Sequence, residues 1–419
     1  MRTIRPDELD FAALIRPGET IGWAQATAEP VFLTRMLDEQ AGRCPPFNLF
    51  FVLSFAEGYR GNHPNVTITS FGGGAAGRRF FAGGTGRMIP ANLSDLCALI
   101  EGGRPRIDIA LLQVTGPDAA GRYNAGIGVE MLREAMTGAR LVIAQLNDQV
   151  PWTEGDTAIE PELIDILVPA SHPLVEYKTP ALGPVEEAIA ANVARLVPDR
   201  ATIELGYGAI PEAVTRALGG KSGLGVHSGA AGDGVMRLMQ AGVVDNRHKE
   251  VDPEVSVAMM LMGGPELYRF AERNPRLHIR SPRYTHDALV LGQFRRFVAI
   301  NSALEVDLSG QCNAEMASGR LIGLTGGQVD FVRAANRAPE GRSIIALQST
   351  NRDRSQSRIV ARFADGIVTT PRADADCVVT EHGIAELRGR TLAERAEALI
   401  AIADPAFRAE LRRGSERAG

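Results

Sequence analysis

Apolar runs that close on a glycine turn and lead into an amphipathic stretch recur along this chain, and that recurrence constrains its fold most. In the first half the runs cover residues 20–26, 49–55, 66–71, 107–114 and 140–146. Their apolar character is continuous rather than alternating, which predicts strands buried on both faces, as in a parallel sheet. Between them lie amphipathic stretches at 94–101 and at 30–40, the latter carrying Val31, Leu33, Met36 and Leu37. The chain has 45 glycines, above the average share of about 7%. They gather after the apolar runs, where tight strand-to-helix turns need them. GWAQATAEP at 22–30, with proline near a helix start, and NAGIGVE at 124–130 are two such turns.

Prolines in TPALGPV, residues 179–185, break the pattern. A helix is expected over 185–196, with Ile189, Val193 and Leu196 on one face. A domain boundary just before it gives two α/β domains, 1–184 and 185–419, in keeping with a chain too long for one core. The second half repeats the style, with strands expected at 202–205, 224–227, 255–262, 297–300, 343–347 and 377–380. IALLQVT at 109–115 and IALQST at 345–350 look alike, a hint of internal duplication. Residues 392–413 read as an amphipathic helical segment, interrupted at Ala403-Asp404-Pro405.

Composition removes several function classes. The net charge is −5, with no basic block, so nucleic acid is not an expected partner. MRTIRPDELDF has no apolar core of a signal peptide. No run approaches the roughly 18 apolar residues of a membrane span. Cys44, Cys97, Cys312 and Cys377 are scattered and form no CxxC pair, which predicts neither a zinc ribbon nor a disulfide framework and points to a reducing cytoplasm. No HxxxH or HExxH spacing occurs, so no metal site is expected. GxSxG and Walker A motifs are absent as well.

What remains is a set of glycine turns at strand ends. LGVHSGAAGDGVMRLMQAG, residues 224–242, reads as a strand, a glycine-rich turn and a helix with Asp233 as N-cap and Val235, Leu238, Met239 and Gly242 on a buried face. In GYGAIPEAV, residues 206–214, the turn at Gly206, Gly208 and Ala209 opens a helix whose first N–H groups suit an anion or an oxyanion. The competing reading is a tight turn that only packs helix on strand. Gly326 and Gly327 in LTGGQVDF, residues 324–331, form a second such turn, with the same two readings. Asn301 follows the apolar run at a strand end, where sites form in open α/β sheets. Alternation makes Glu305 and Asp307 the wet face of a half-buried strand. His227 flanks the glycine-rich turn within 224–242, and packing is the favoured reading for a single histidine there.

Several longer segments carry a resemblance. They are Glu29-Pro30, QVTGPDAAGRYNAGIGV at 113–129, LGYGAIPEAV at 205–214, INSALEVDLSGQCNAE at 300–315, GGQVDFVRAA at 326–335, SRIVARF at 357–363 and VVTEHGIAELRGRTLAERA at 378–396. In this order they resemble the acetyl-CoA hydrolase/transferase family, in the branch with 4-hydroxybutyrate CoA-transferase and butyryl-CoA:acetate CoA-transferase. The resemblance implies two related open α/β domains of the CoA-transferase type with the active site between them. It implies an acyl-CoA thioester and a small carboxylate as substrates, no permanently bound cofactor, and a homo-oligomer. In such enzymes a glutamate attacks the thioester, and an anhydride and then a glutamyl-CoA thioester follow. Asn301 matches a family asparagine near the reacting carbonyl. The turns at Gly206, Gly208 and Ala209 and at Gly326 and Gly327 match the oxyanion-binding and CoA-binding elements.

One position departs. The family's loop reads H-S/T-E, a short spacer, then D-G. Here it reads His227-Ser228-Gly229, then Asp233-Gly234, so the nucleophile's position is Gly229. Asp233, Glu212 and Glu315 match residues that relatives also carry and are not compensating additions. Three readings follow: an acyl-CoA:carboxylate CoA-transferase with another nucleophile, an acyl-CoA hydrolase in which water uses the space at Gly229, or a non-catalytic CoA-binding subunit. Tyr207, at a position often small in relatives, bears on the shape of an acyl pocket.

Overall fold

The computed structural model describes residues 1–55, 58–72, 80–81, 86–317, 319–363 and 367–416. They gather into two compact units. One comprises Met1–Lys178, Val257–Thr285 and Arg320–Gly326, the other Thr179–Ser256, His286–Gly319 and Gly327–Gly419.

The first unit is built on an eight-stranded sheet. Its order is Arg2–Thr3, Ile166–Pro169, Leu141–Leu146, Ile109–Val114, Thr20–Trp23, Phe47–Phe51, Val66–Ser70, Gly86–Met88. Every neighbouring pair is parallel. All six residues of Ile109–Val114 are buried, as a strand covered on both faces requires. Helix Val31–Gln40 buries Val31, Leu33, Thr34 and Leu37, and Leu33 and Leu37 join Ile21, Leu49, Leu111 and Ile143 in the core. The strands expected at 20–26 and 49–55 stop early, at Trp23 and Phe51. One side chain accounts for the second of these ends. The buried Gln25 Oε1 accepts the Val52 and Leu53 N–H groups at 2.8 and 3.0 Å, so those donors leave the ladder without going unpaired.

The second unit carries the order Gly383–Glu386, Cys377–Thr380, Arg342–Ala346, Phe297–Ser302, Thr202–Leu205, Gly225–Gly232. The pairs are parallel except at the Gly383–Glu386 edge, which is antiparallel. Of the two look-alike segments, 109–115 starts with its strand, whereas 345–350 overlaps its strand only at Ile345 and Ala346. Ile109–Val114 lies between two parallel partners in its sheet, and Arg342–Ala346 does so in the other. The expected helix at 185–196 is Pro184–Leu196. The expected segment at 392–413 divides into Leu392–Ile402 and Arg408–Glu416. Thr391 and Glu394 form a capping box at the start of the first, and Asp404 Oδ1 accepts the Ala406 N–H in the break.

The stretch 224–242 differs from expectation in three respects. The strand runs through the glycines, as Gly225–Gly232, instead of ending at His227. Glycine and alanine tolerate extended backbone, so composition alone did not mark a turn there. The N-cap of helix Asp233–Gln240 is Gly232, not Asp233. Asp233 occupies the first turn, where its charge meets the positive end of the helix dipole. Gly242 is not on the buried face. It sits just past the helix with φ +72°. There the Gly242 and Val243 N–H groups reach the Met239 and Leu238 carbonyls at 3.2 and 3.0 Å, the bond pattern of a Schellman ending.

Among the described residues, no helix is long and apolar enough to cross a membrane. The four cysteines are buried free thiols.

Candidate functional site

Most of the residues singled out from sequence meet at the carboxyl ends of the second unit's parallel strands, where open α/β sheets place ligands. Asn301 is on Phe297–Ser302, and that strand pairs with Thr202–Leu205 in the register Glu204↔Ala299, Leu205↔Ile300. On the other side Thr202 pairs with Gly225 and Ile203 with Val226. Continued by one residue past Ile203↔Val226, this register sets Glu204 beside His227. Side chains two apart on a strand share a face, so Glu204, Asn301, His227 and Gly229 all belong to one face of the sheet. Helix Gln328–Arg337 brings Phe331 onto that face, within the apolar cluster that includes Phe294, Phe297 and Ala299.

Glu204 was not picked out from sequence. It is 3% exposed, and its Oε2 accepts from Asn301 Nδ2 at 2.7 Å. Burial pushes its carboxyl up to about 8, against the Asn301 amide and the Ile300 N–H, which pull it down. The missed signal was a carboxylate inside TIEL, where Thr202, Ile203 and Leu205 otherwise read as a fully buried run.

His286 was missed too. It is buried, with its ring centroid 4.5 Å from that of Phe331. Desolvation holds its imidazole down to about 3, so it is neutral at physiological pH. Two of the candidate glycines meet its edge. A Cβ built on Gly327 would lie 2.3 Å from His286 Nε2, closer than van der Waals contact allows. A Cβ on Gly229 would lie 3.4 Å from the same atom and 3.7 Å from Phe331 Cε2, both ordinary contacts. Glycine is therefore demanded by space at 327 and not at 229.

The helix starts supply donors. Gly208, with φ +124°, is the N-cap of Ala209–Ala217, and Gly327 is the N-cap of Gln328–Arg337. Neither glycine can cap with a side chain, and the first N–H groups of any helix lack intrahelical acceptors. The Glu212 N–H makes the early bond to the Gly208 carbonyl at 3.1 Å, leaving Ala209 ahead of it in the turn. Gly206 continues alongside the sheet through its N–H to the Ile300 carbonyl at 3.2 Å. A Cβ at Gly206 would meet only Pro211 within 4 Å, so this strand end has room immediately above the backbone. Gly326 belongs to the first unit, where its carbonyl accepts the Leu93 N–H at 3.1 Å.

The remaining candidates have structural employment. His227 is buried with its ring 5.1 Å from that of Phe294. Asp307 is not on a wet face: it is buried, and its oxygens accept the Ser309 and Gln311 N–H groups at 2.9 and 3.0 Å, which shapes the following turn. Glu212 is ion-paired with Arg216 and Arg237, and Glu315 accepts from Thr369 Oγ1 at 2.8 Å. Among the described residues no group of three or more His, Cys, Asp or Glu side chains is placed to hold a metal ion.

Residues 3–176 match the acetyl-CoA hydrolase/transferase N-terminal domain and residues 263–415 the C-terminal domain of the same name. The chain belongs to the acetyl-CoA hydrolase/transferase family. Within the family it is 39% identical over 393 residues to the 4-hydroxybutyrate coenzyme A transferase of Clostridium kluyveri, spanning 93% of this chain and 92% of that one. The solved structure of RipA from Yersinia pestis superposes with a TM-score of 0.90 at 30% identity, over 99% of this chain and 97% of that one. A 4-hydroxybutyrate CoA-transferase from Porphyromonas gingivalis does so with a TM-score of 0.83 at 32% identity, over 100% and 98%. Asn301, Gly327 and His286 fall inside the C-terminal match. Glu204, Gly206, Gly208, Ala209 and Gly229 fall in the stretch between the two matched domains.

Proposed function

We propose that this member of the acetyl-CoA hydrolase/transferase family transfers CoA from a short-chain acyl-CoA to a small carboxylate at the strand ends around Asn301 and Gly229. The observation that carries the reading is the Glu204–Asn301 pair. A buried amide, fixed at 2.7 Å by a carboxylate, stands beside a strand end with room immediately above the backbone and helix starts with N–H groups for an oxyanion. The sizes of the acyl group and acceptor come from relatives, which include transferases of 4-hydroxybutyrate and of butyryl-CoA with acetate. Cytoplasmic placement fits the buried thiols, and a homo-oligomer is the expected assembly.

Hydrolysis is the second reading, and one observation favours it. Gly229 leaves room for one methyl-sized group against His286 and Phe331, about the size of a water, where relatives are expected to carry a nucleophile. Incubation with butyryl-CoA and labelled acetate separates the two. Label in acetyl-CoA establishes transfer, and free thiol without label in acetyl-CoA establishes hydrolysis. CoA binding with neither product leaves a binding subunit. Gly229→Glu is the companion variant: a gain of transfer shows that the surrounding donors are competent, and a variant that neither turns over nor binds CoA removes the site assignment.

A further inference from the structure

We propose that Glu204 supplies the carboxylate nucleophile that position 229 lacks. This rests on the reading of the strand ends as a CoA-ester site. Glu204 is in register with Ala299, yet its Oε2 reaches Asn301, two residues farther along the neighbouring strand. Two residues of strand are about 7 Å, so the side chain leans toward the carboxyl edge. The paired register ends at Ile203↔Val226; carried on along both strands, it puts Gly229 two residues beyond the position beside Glu204. The Glu204 carboxyl therefore reaches toward the level of the position 229 side chain, displaced sideways by one or two strand spacings of roughly 4.8 Å. A Cβ at Gly206, which follows Glu204 by two residues, would meet only Pro211 within 4 Å. Asn301 Nδ2 on Oε2 stabilises the ionised form and orients the carboxylate.

The chemistry closes without a further reactant. A Glu204 oxygen attacks the acyl carbonyl carbon, the carbon–sulfur bond breaks, and its electron pair leaves on the CoA thiolate. That thiolate adds to the Glu204 carboxyl carbon of the mixed anhydride and expels the first acid as its carboxylate. The acceptor carboxylate attacks the glutamyl-CoA thioester and releases the thiolate. The thiolate then attacks the acceptor's acyl carbon, giving the new acyl-CoA and restoring the Glu204 carboxylate.

The test is trapping on the wild-type protein. It is incubated with butyryl-CoA alone, quenched with borohydride, digested and mapped by mass spectrometry. The expected result is Glu204 reduced to the corresponding primary alcohol, in proportion to butyryl-CoA, together with loss of at least 100-fold of exchange in Glu204→Gln. Glu204→Asp, which keeps the carboxylate but shortens it, is expected to trap weakly, and thermal melts check that both variants fold. Exchange by the wild type with Glu204 unmodified overturns the proposal, as does exchange retained in Glu204→Gln, which reduces Glu204 to a support for Asn301. If the wild type is inert while Gly229→Glu turns over, the proposal falls and the CoA-ester reading stands. If neither protein turns over or binds CoA, both fall.

Discussion

Gly229 and Gly327 face the same imidazole, and the distances set them different tasks. At Gly229 a methyl group makes ordinary contacts with His286 and Phe331, and the backbone is not left-handed. Gly229→Ala is therefore expected to be neutral or to stabilise by about 0.5–1 kcal/mol through lost freedom of the unfolded chain. At Gly327 the same methyl meets buried ring atoms at 2.3 and 2.5 Å. Gly327→Ala is expected to cost about 1–3 kcal/mol as an overpacking change and to move His286. Urea unfolding of the two variants checks the contrast, and equal midpoints would refute it. From sequence, Asn301 stood out because a polar residue at a strand end is a local feature, and Gly229 stood out only against the loop of the resembled family. Glu204 was hidden by the apolar run around it. His286 lies in RYTHDAL, where nothing local signals a site; only tertiary packing brings it to Phe331.

Elements were legible where their period was strong and blurred where small residues dominate. The Val31–Gln40 and Pro184–Leu196 helices and the buried parallel strands emerge within a few residues of their expected bounds. The strand end at Gly232 did not, because Gly-Ala-Ala-Gly has no side-chain pattern with a period to read. Gly242 was misplaced on an apolar face because the helical period continues on paper past the point where the chain turns left-handed. That error yields a prediction. Gly242→Ala puts a Cβ at φ +72°, which costs about 1–2 kcal/mol for an L-residue, although no atom lies within 4 Å of the new methyl. A lower urea midpoint is expected, whereas Gly138→Ala is not expected to lower it, since that methyl also meets nothing and the backbone is not left-handed.

At the scale of the whole molecule, charge burial sets how stability follows pH. Each unit holds a buried carboxyl pushed up by desolvation to about 8: Glu130 in the first and Glu204 in the second. Both start from 4.5 in the unfolded chain. Between pH 4.5 and 8 the folded protein holds protons that the unfolded chain has released, so stability falls as pH rises. The contribution is fully present below pH 4.5 and is lost as pH rises through 8. Two groups tilt the other way. His286, held down to about 3, adds stability as pH rises toward 6.5, and Lys249, lowered by burial to about 7, does so between 7 and 10.5. A difference curve removes both. Glu130→Gln combined with Glu204→Gln keeps the shapes and deletes the titrating protons. Melting temperatures of this double variant and the wild type are expected to run nearly parallel at pH 4.5, and the variant is expected to gain steadily on the wild type up to pH 8.5. His227 shares the sheet face with Glu204, and the Asn301 amide and Phe331 border it, so none of these neighbours supplies a fixed charge to offset the slope. A gap that stays constant with pH would mean that the carboxyls are ionised in the folded state. The same ionisation governs turnover through Glu204, because only the carboxylate attacks: the transfer rate is expected to rise about tenfold per pH unit below 8 and to level off above it.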